Sequence, residues 1–230
     1  AFLILLFLLL TFTFVLPIRE SQTRGQSLPR VFEQAYVPTT IATSSVPVKP
    51  ESPILDWLEA LTWMRYNLPS TAVVASWWDY GYWITTVANK TSLADNATFN
   101  VTQIRKIGLM FMSNETQAIQ VLQNLNRDAL RLGWTNKVSH VVVFATFDSN
   151  GQDLNYGDES KWRWMAKIAD DLPDTDLKEE NFGQWDTDTR KWVWNDRGTN
   201  TTIYKFMTYA KNVRLGTSEA QVSLTYFKLV

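Results

Sequence analysis

The chain has 230 residues, enough for one large domain or a domain with appendages, with 45% hydrophobic and 20% charged residues and a formal net charge of -1. That balance leaves no basic footprint for nucleic acid. The absence of Cys excludes a disulfide framework, a thiolate metal site and a Cys nucleophile, and the single His, His140, leaves no His-based metal cluster and little scope for a Ser-His-Asp triad. Trp is the unusual component, with 11 copies, which points to a Trp-rich core or to aromatic binding surfaces.

Residues 1–17 are apolar apart from two Thr and read as the end of a transmembrane helix. A signal peptide would need a basic leading region, and none is present. Pro17, Arg19 and Glu20 mark the exit into water. Residues 18–52, rich in Ser, Thr and Pro, read as an extended linker. Residues 53–230 form the expected extracytoplasmic globular domain. Ser52 is placed to cap a helix that opens at Pro53, and the apolar spacing Leu55, Leu58, Leu61, Met64 predicts an amphipathic helix over Ile54 to Tyr66.

Ala72 to Ala75 is a short buried-strand candidate that runs into a turn at Ser76 to Gly81, where Gly81 is expected to supply backbone freedom. Thr102 to Met112 and Glu115 to Leu125 are helix candidates, the second with Ser113 as its cap. Val138 to Phe147, β-branched and uninterrupted, is the strongest strand candidate. Asp148 to Asp153 is a loop, Asp158 to Asp170 returns to helical spacing, and Asp170 to Glu180 is acidic. Trp185 to Trp194 reads as a hairpin with a turn at Asn195 to Gly198. Thr202 to Lys211 reads as helix. Gln221 to Val230 alternates as a strand and stops abruptly, so the natural chain is expected to continue. Strands mixed with helices predict an α/β (mixed α+β) fold, built around a strand pair near Val73 and Val142.

Two short motifs carry chemistry. In Trp77-Trp78-Asp79-Tyr80-Gly81, each indole offers one N–H donor and Asp79 offers two acceptor oxygens. Such a group can both donate to and accept from one hydroxyl, and it rejects ligands that lack the hydroxyl by leaving its own polar groups unpaired. A buried aromatic cluster with a turn Asp is the plainer reading of the same residues. In the second motif, Asp158 precedes Lys161 by three residues, and Met165 and Ile168 follow at helical spacing on the same face. Asp158 is expected at a helix start, where a carboxylate suits the dipole. Taken alone, this is an ordinary amphipathic first turn.

The pentapeptide, with Asp56 to Leu61 and Val73 to Ser76 before it and Ala94 to Thr98 after it, resembles the catalytic subunit family of oligosaccharyltransferases, and the Asp158–Lys161–Met165–Ile168 set resembles that family's second motif in its archaeal and eukaryotic form. The likeness spans roughly residues 53 to 170. It implies transfer of an oligosaccharide from a lipid-linked donor, dolichyl phosphate or diphosphate, to Asn in Asn-X-Ser/Thr. It puts the Ser/Thr hydroxyl on Trp77, Trp78 and Asp79, with Lys161 beside them and Met165 or Ile168 against a Thr methyl; Tyr80, Gly81 and Asp158 support the motifs. It further implies a multi-pass membrane protein with this domain on the extracytoplasmic face, at an archaeal cell surface or in the endoplasmic reticulum lumen. The lack of Cys and the Lys-type motif lean towards the former. The implied partners are an acceptor polypeptide, a lipid-linked oligosaccharide and the membrane, for an enzyme working alone or in a complex.

The family's chemistry also uses a divalent cation, Mn²⁺ or Mg²⁺, held by carboxylates on membrane loops. No catalytic or metal-ligating residue is expected within these 230 residues, because Asp174-Thr175-Asp176 and Asp186-Thr187-Asp188 lie in a polar tail. Sequons occur at Asn89, Asn96, Asn100, Asn114 and Asn200, with Asn96 and Asn100 the first candidates for modification. His140 is read as structural. The competing reading is a membrane-tethered surface module that stacks sugars on its Trp faces. No Gly-rich phosphate loop supports a nucleotide-dependent enzyme.

Overall fold

The computed structural model describes residues 2–14, 55–154, 157–189, 191–217 and 222–230. The apolar opening is helical over Phe2–Phe14 (α1), with Phe2 to Leu10 exposed. Its 13 residues fall short of the about 20 that a bilayer crossing needs. Among the described residues, no helix is long and apolar enough to cross a membrane. The expected linker, 18–52, lies outside the described residues. The chain divides into residues 1–59 and residues 60–230, and the second unit holds the sheets and the candidate site.

Helix α2, Leu55–Asn67, buries Leu61 and Met64 as its spacing predicts. Strand β1, Val73–Ala75, is buried along its whole length because it is central: β2, Thr91–Ser92, and β3, Val138–Val141, pair with it in parallel on either side. A parallel strand covered on both faces tolerates only apolar residues. Parallel neighbours also need crossovers. Helix α3, Gly81–Thr86, makes the first; α4, Val101–Met112, and α5, Glu115–Arg131, make the second.

Asn100 caps α4 by accepting from the Gln103 amide, and Asn114 caps α5 by accepting from that of Gln117. Ser113, the cap expected from sequence, sits one residue too early; it is buried, and its carbonyl accepts from Thr202 instead. Strand β3 is shorter than the apolar run Val138 to Phe147. The Val142 amide still bonds Ala75, but the Phe144 amide goes to the Asp158 carboxylate, which draws the chain off the ladder.

Helix α6, Trp162–Ala169, packs on α4 at Gly108, where a Cβ would stand 2.7 Å from the Met165 carbonyl oxygen. An antiparallel hairpin follows, β4 Gly183–Asp186 and β5 Lys191–Trp194. Its turn lies before β5, not at Asn195 to Gly198. Asp186 closes it early by accepting from the amides of Asp188 and Thr189. Asn195 caps the short helix α7, Asp196–Thr199, and α8 runs over Thr202–Leu215 to Gly216 at φ 66°. Residues 222–230 form no strand. The amides of Thr225 and Tyr226 bond the Glu115 carboxylate, which Lys205 also contacts, so they are not available to a ladder.

Candidate functional site

Strand β1 ends at Ala75, and the chain leaves the sheet at its C-terminal edge, where parallel sheets place ligands. Trp77 is still extended, with φ -58° and ψ 141°, and a tight turn, Trp78–Tyr80, follows it and is continuous with α3. Trp77 is 3% exposed and belongs to the core; Trp78 is half-buried beside it, ring centroids 6.3 Å apart. Asp79 and Tyr80 are buried.

The second motif arrives from the other side of β3. Gly157 leads into a short turn, Asp158–Ser160, and Lys161 then opens α6. Lys161 Nζ lies 2.6 Å from Asp79 Oδ2, an ion pair between residues 82 positions apart in sequence. Lys161 Nζ also donates to the Tyr80 hydroxyl at 2.8 Å. That hydroxyl donates to Asp158 Oδ1 at 3.1 Å, and Asp158 Oδ2 accepts from the Phe144 amide at 2.9 Å. The result is one connected chain: Asp158, Tyr80, Lys161, Asp79.

Asp158 therefore does not serve α6 as a dipole-matched first-turn carboxylate. It is fully buried, and its oxygens hold Tyr80 and the segment just past β3 at Phe144. Burial pushes its carboxyl up to about 7; the Lys161 charge opposes this and the Asp79 charge adds to it. Burial and the neighbouring Asp158 and Asp79 charges likewise raise the Tyr80 phenol, so it remains a donor. Removing an ion pair from water costs several kcal/mol that only good geometry repays. The geometry here points to positioning of the Asp79 carboxylate rather than to net stability.

Met165 is fully buried, on the side of α6 that packs against α4. A side chain without exposed surface does not meet a ligand directly, so of the two candidates for a methyl contact the half-buried Ile168 is the more accessible. The pentapeptide's Gly81 has φ -59° and ψ -42°, ordinary right-handed values, so backbone freedom is not its contribution. A Cβ there would lie 2.3 Å from the Ala94 carbonyl oxygen and 2.4 Å from Asp95 Cα. Gly81 is required by close approach. Tyr80, read from sequence only as motif support, is the bridge between the motifs. No local signal marks it, because its partners lie 78 and 81 residues away.

The sequons separate by environment. Asn89 and Asn200 are exposed, Asn89 with φ 52°; Asn100 and Asn114 are helix caps. Asn96 bonds to the Trp-Trp-Asp turn through the Asp79 carbonyl, and to the helix that follows it through the Tyr82 amide. His140 lies half-buried on β3, its Nδ1 2.8 Å from Ser139 Oγ. Among the described residues, no group of three or more His, Asp or Glu could hold a metal ion, and Asp79 has a lysine ammonium against it, so the residues present do not fit a catalytic divalent cation.

Residues 70–162, which contain both motifs up to Lys161, match the STT3/PglB/AglB core domain. Among individual relatives it is 36% identical over 128 residues to the Caenorhabditis elegans dolichyl-diphosphooligosaccharide–protein glycosyltransferase subunit stt-3, covering 55% of this chain and 15% of that one. It is 30% identical over 172 residues to the Saccharomyces cerevisiae subunit STT3, covering 73% and 22%. The crystal structure of the C-terminal globular domain of an Archaeoglobus fulgidus oligosaccharyltransferase is similar at 25% identity and a TM-score of 0.42, covering 68% of this chain and 83% of that one. The chain thus spans 15–22% of the length of these two curated relatives.

Proposed function

We propose that this domain reads the Ser or Thr hydroxyl of an Asn-X-Ser/Thr sequon in an acceptor polypeptide, for a membrane-bound oligosaccharyltransferase that moves an oligosaccharide from a dolichyl phosphate or diphosphate carrier to the Asn amide. The observation that carries the reading is the 2.6 Å Lys161–Asp79 pair. It joins the two motifs at the C-terminal edge of the sheet and holds a carboxylate beside the half-buried Trp78. A carboxylate has about four lone-pair sites, so it can accept a hydroxyl in addition to an ammonium. The Trp78 indole N–H is the proposed reciprocal donor, and Ile168 the neighbour for a Thr methyl.

The reaction needs a weak amide nucleophile oriented and a phosphorylated lipid expelled, and the proposed divalent cation, Mn²⁺ or Mg²⁺, supplies charge stabilisation there. Its ligands are proposed to lie outside these residues, on the membrane-embedded part of the enzyme. The domain would then face the extracytoplasmic side, where acceptor polypeptides and the lipid-linked donor meet.

The test follows transfer to labelled peptides carrying Asn-X-Thr, Asn-X-Ser or Asn-X-Ala, using the full-length protein in membranes. Wild type should modify the first two and not the third. Asp79→Ala should lose on the order of a hundredfold in kcat/KM, because it removes a charged hydrogen-bond acceptor and leaves Lys161 without its counter-ion. Asp79→Asn, similar in shape, checks that the loss is not unfolding. Transfer by Asp79→Ala at the wild-type rate would reject the residue assignment. No transfer to any peptide, together with glycan binding by the Trp-rich surface, would favour the sugar-binding module.

A further inference from the structure

We propose that Asn96 is a positioning residue for the Trp-Trp-Asp turn, and that its own sequon, Asn96-Ala97-Thr98, stays unglycosylated because the side-chain amide is committed to that task. The inference rests on the acceptor-recognition reading and deepens it.

The segment 91–98 is a strap whose shape is set without the Asn96 side chain. Thr91 and Ser92 pair with β1, and the Leu93 amide bonds the Val74 carbonyl at 2.9 Å. Gln103, in the first turn of α4, donates to the Leu93 carbonyl. Ser92 Oγ donates to the Ala94 carbonyl at 2.6 Å. Asp95 forms the turn itself, its carboxylate accepting from the Ala97 amide at 2.9 Å and its carbonyl from the Thr98 amide at 3.2 Å. The strap is therefore pinned to the sheet at one end and turned on itself at the other.

Held this way, the strap presents Asn96 to the recognition turn. Its Nδ2 donates to the Asp79 carbonyl at 3.2 Å, and its Oδ1 accepts from the Tyr82 amide at 3.4 Å. Tyr82 N–H belongs to the first turn of α3, where helix donors have no partner within the helix. One planar amide thus spans the residue whose carboxylate reads the hydroxyl and the helix that follows it. Gly81 lies between these two contacts, with no room for even a Cβ against Ala94 and Asp95. A sugar on Nδ2 would replace one of its N–H groups and would have to fit where strap and turn already touch.

The experiment uses the full-length enzyme in membranes with three variants. Asn96→Asp keeps the size and the acceptor for Tyr82 but replaces the donor facing the Asp79 carbonyl with an oxygen. Thr98→Gly destroys the sequon, leaves Asn96 in place and suits the φ of 55° at position 98. Asp79→Ala reports on the underlying reading. Glycopeptide mass spectrometry of wild type should find Asn96 bare. Thr98→Gly should transfer as wild type does. Asn96→Asp should raise KM for an Asn-X-Thr peptide about tenfold, with donor KM and thermal midpoint unchanged. Asn96 glycosylated in most molecules, a Thr98→Gly defect matching that of Asn96→Asp, a lowered midpoint for Asn96→Asp, or a wild-type acceptor KM for Asn96→Asp would each overturn the proposal. If Asp79→Ala is fully active, the recognition reading fails and takes this one with it. If Asp79→Ala is impaired while Asn96→Asp is not, only the role of Asn96 fails.

Discussion

At position 81 there is no space for a side chain. The Ala94 carbonyl and Asp95 Cα would lie within 2.4 Å of a Cβ, and both are backbone, so no rotamer change relieves the contact. Gly81→Ala should therefore push the strap off the turn. The expected cost is about 1–3 kcal/mol of stability, as for other overpacked sites, with a weakened acceptor KM. Thermal unfolding and peptide kinetics measure both, and a wild-type result in both would refute the close-approach account. Residue identity alone pointed to Gly81, but for a different reason, since sequence patterns carry backbone propensities and not the position of a strap that packs from the side. The same holds for Trp77 and Trp78. As letters they are equivalent; in the fold one is core and the other half-buried.

Among the elements, the turn Asp158–Ser160 does more than start a helix. Its Asp158 ties together the segment just past β3, through the Phe144 amide, and the turn Trp78–Tyr80, through the Tyr80 hydroxyl. The Asp158 carboxyl is pushed up to about 7 by burial, from about 3.9 in an unfolded chain. The folded state then keeps a proton that the unfolded state releases. The associated stability is fully present below about pH 4 and is lost as pH rises through about 7. Asp158→Asn should remove this component. Denaturant unfolding of the two proteins between about pH 5 and 8 should show a steeper fall with pH for the wild type than for Asp158→Asn, and parallel curves would reject it. The elements themselves were largely legible in the sequence, because α2, α4, α5 and β1 follow hydrophobic period. The misreadings were all of hydrogen-bond commitment. Just past β3, Asp158 captures Phe144, the hairpin turns early where Asp186 accepts, and residues 222–230 give two amides to Glu115.

For the whole molecule, the domain is proposed as one part of a catalyst rather than the catalyst. Of the Asp-X-Asp pairs, the second is used locally: Asp186 accepts from the Thr189 amide and hydroxyl in the hairpin turn. Residues 53–230 expressed alone should give no glycosyl transfer to a labelled Asn-X-Thr peptide, even with Mn²⁺ or Mg²⁺ and lipid-linked donor. Measurable transfer would show that catalytic groups lie inside this domain. The Trp content has a mixed explanation. Trp77 and Trp162 are buried in the second unit, and Trp162 packs at a tilt against Trp192 and Trp194 in an aromatic cluster, whereas Trp63, Trp134, Trp164 and Trp185 are exposed.

Sequence by itself determined the periodic helices, the buried central strand and the two motifs, because hydrophobic period, capping chemistry and short residue strings are local properties. It also carried the expectation that Asp79 and Lys161 lie close, by resemblance rather than by geometry. Tertiary structure alone decided that they meet at 2.6 Å and that Tyr80 and Asp158 complete the chain. It also decided that Met165 is interior, that Gly81 is small because a strap crosses it, and that Asn96 faces the turn. Those facts depend on contacts between residues 13 to 82 positions apart. Such contacts exist only after the parallel crossovers bring the ends of β1 and β3 side by side.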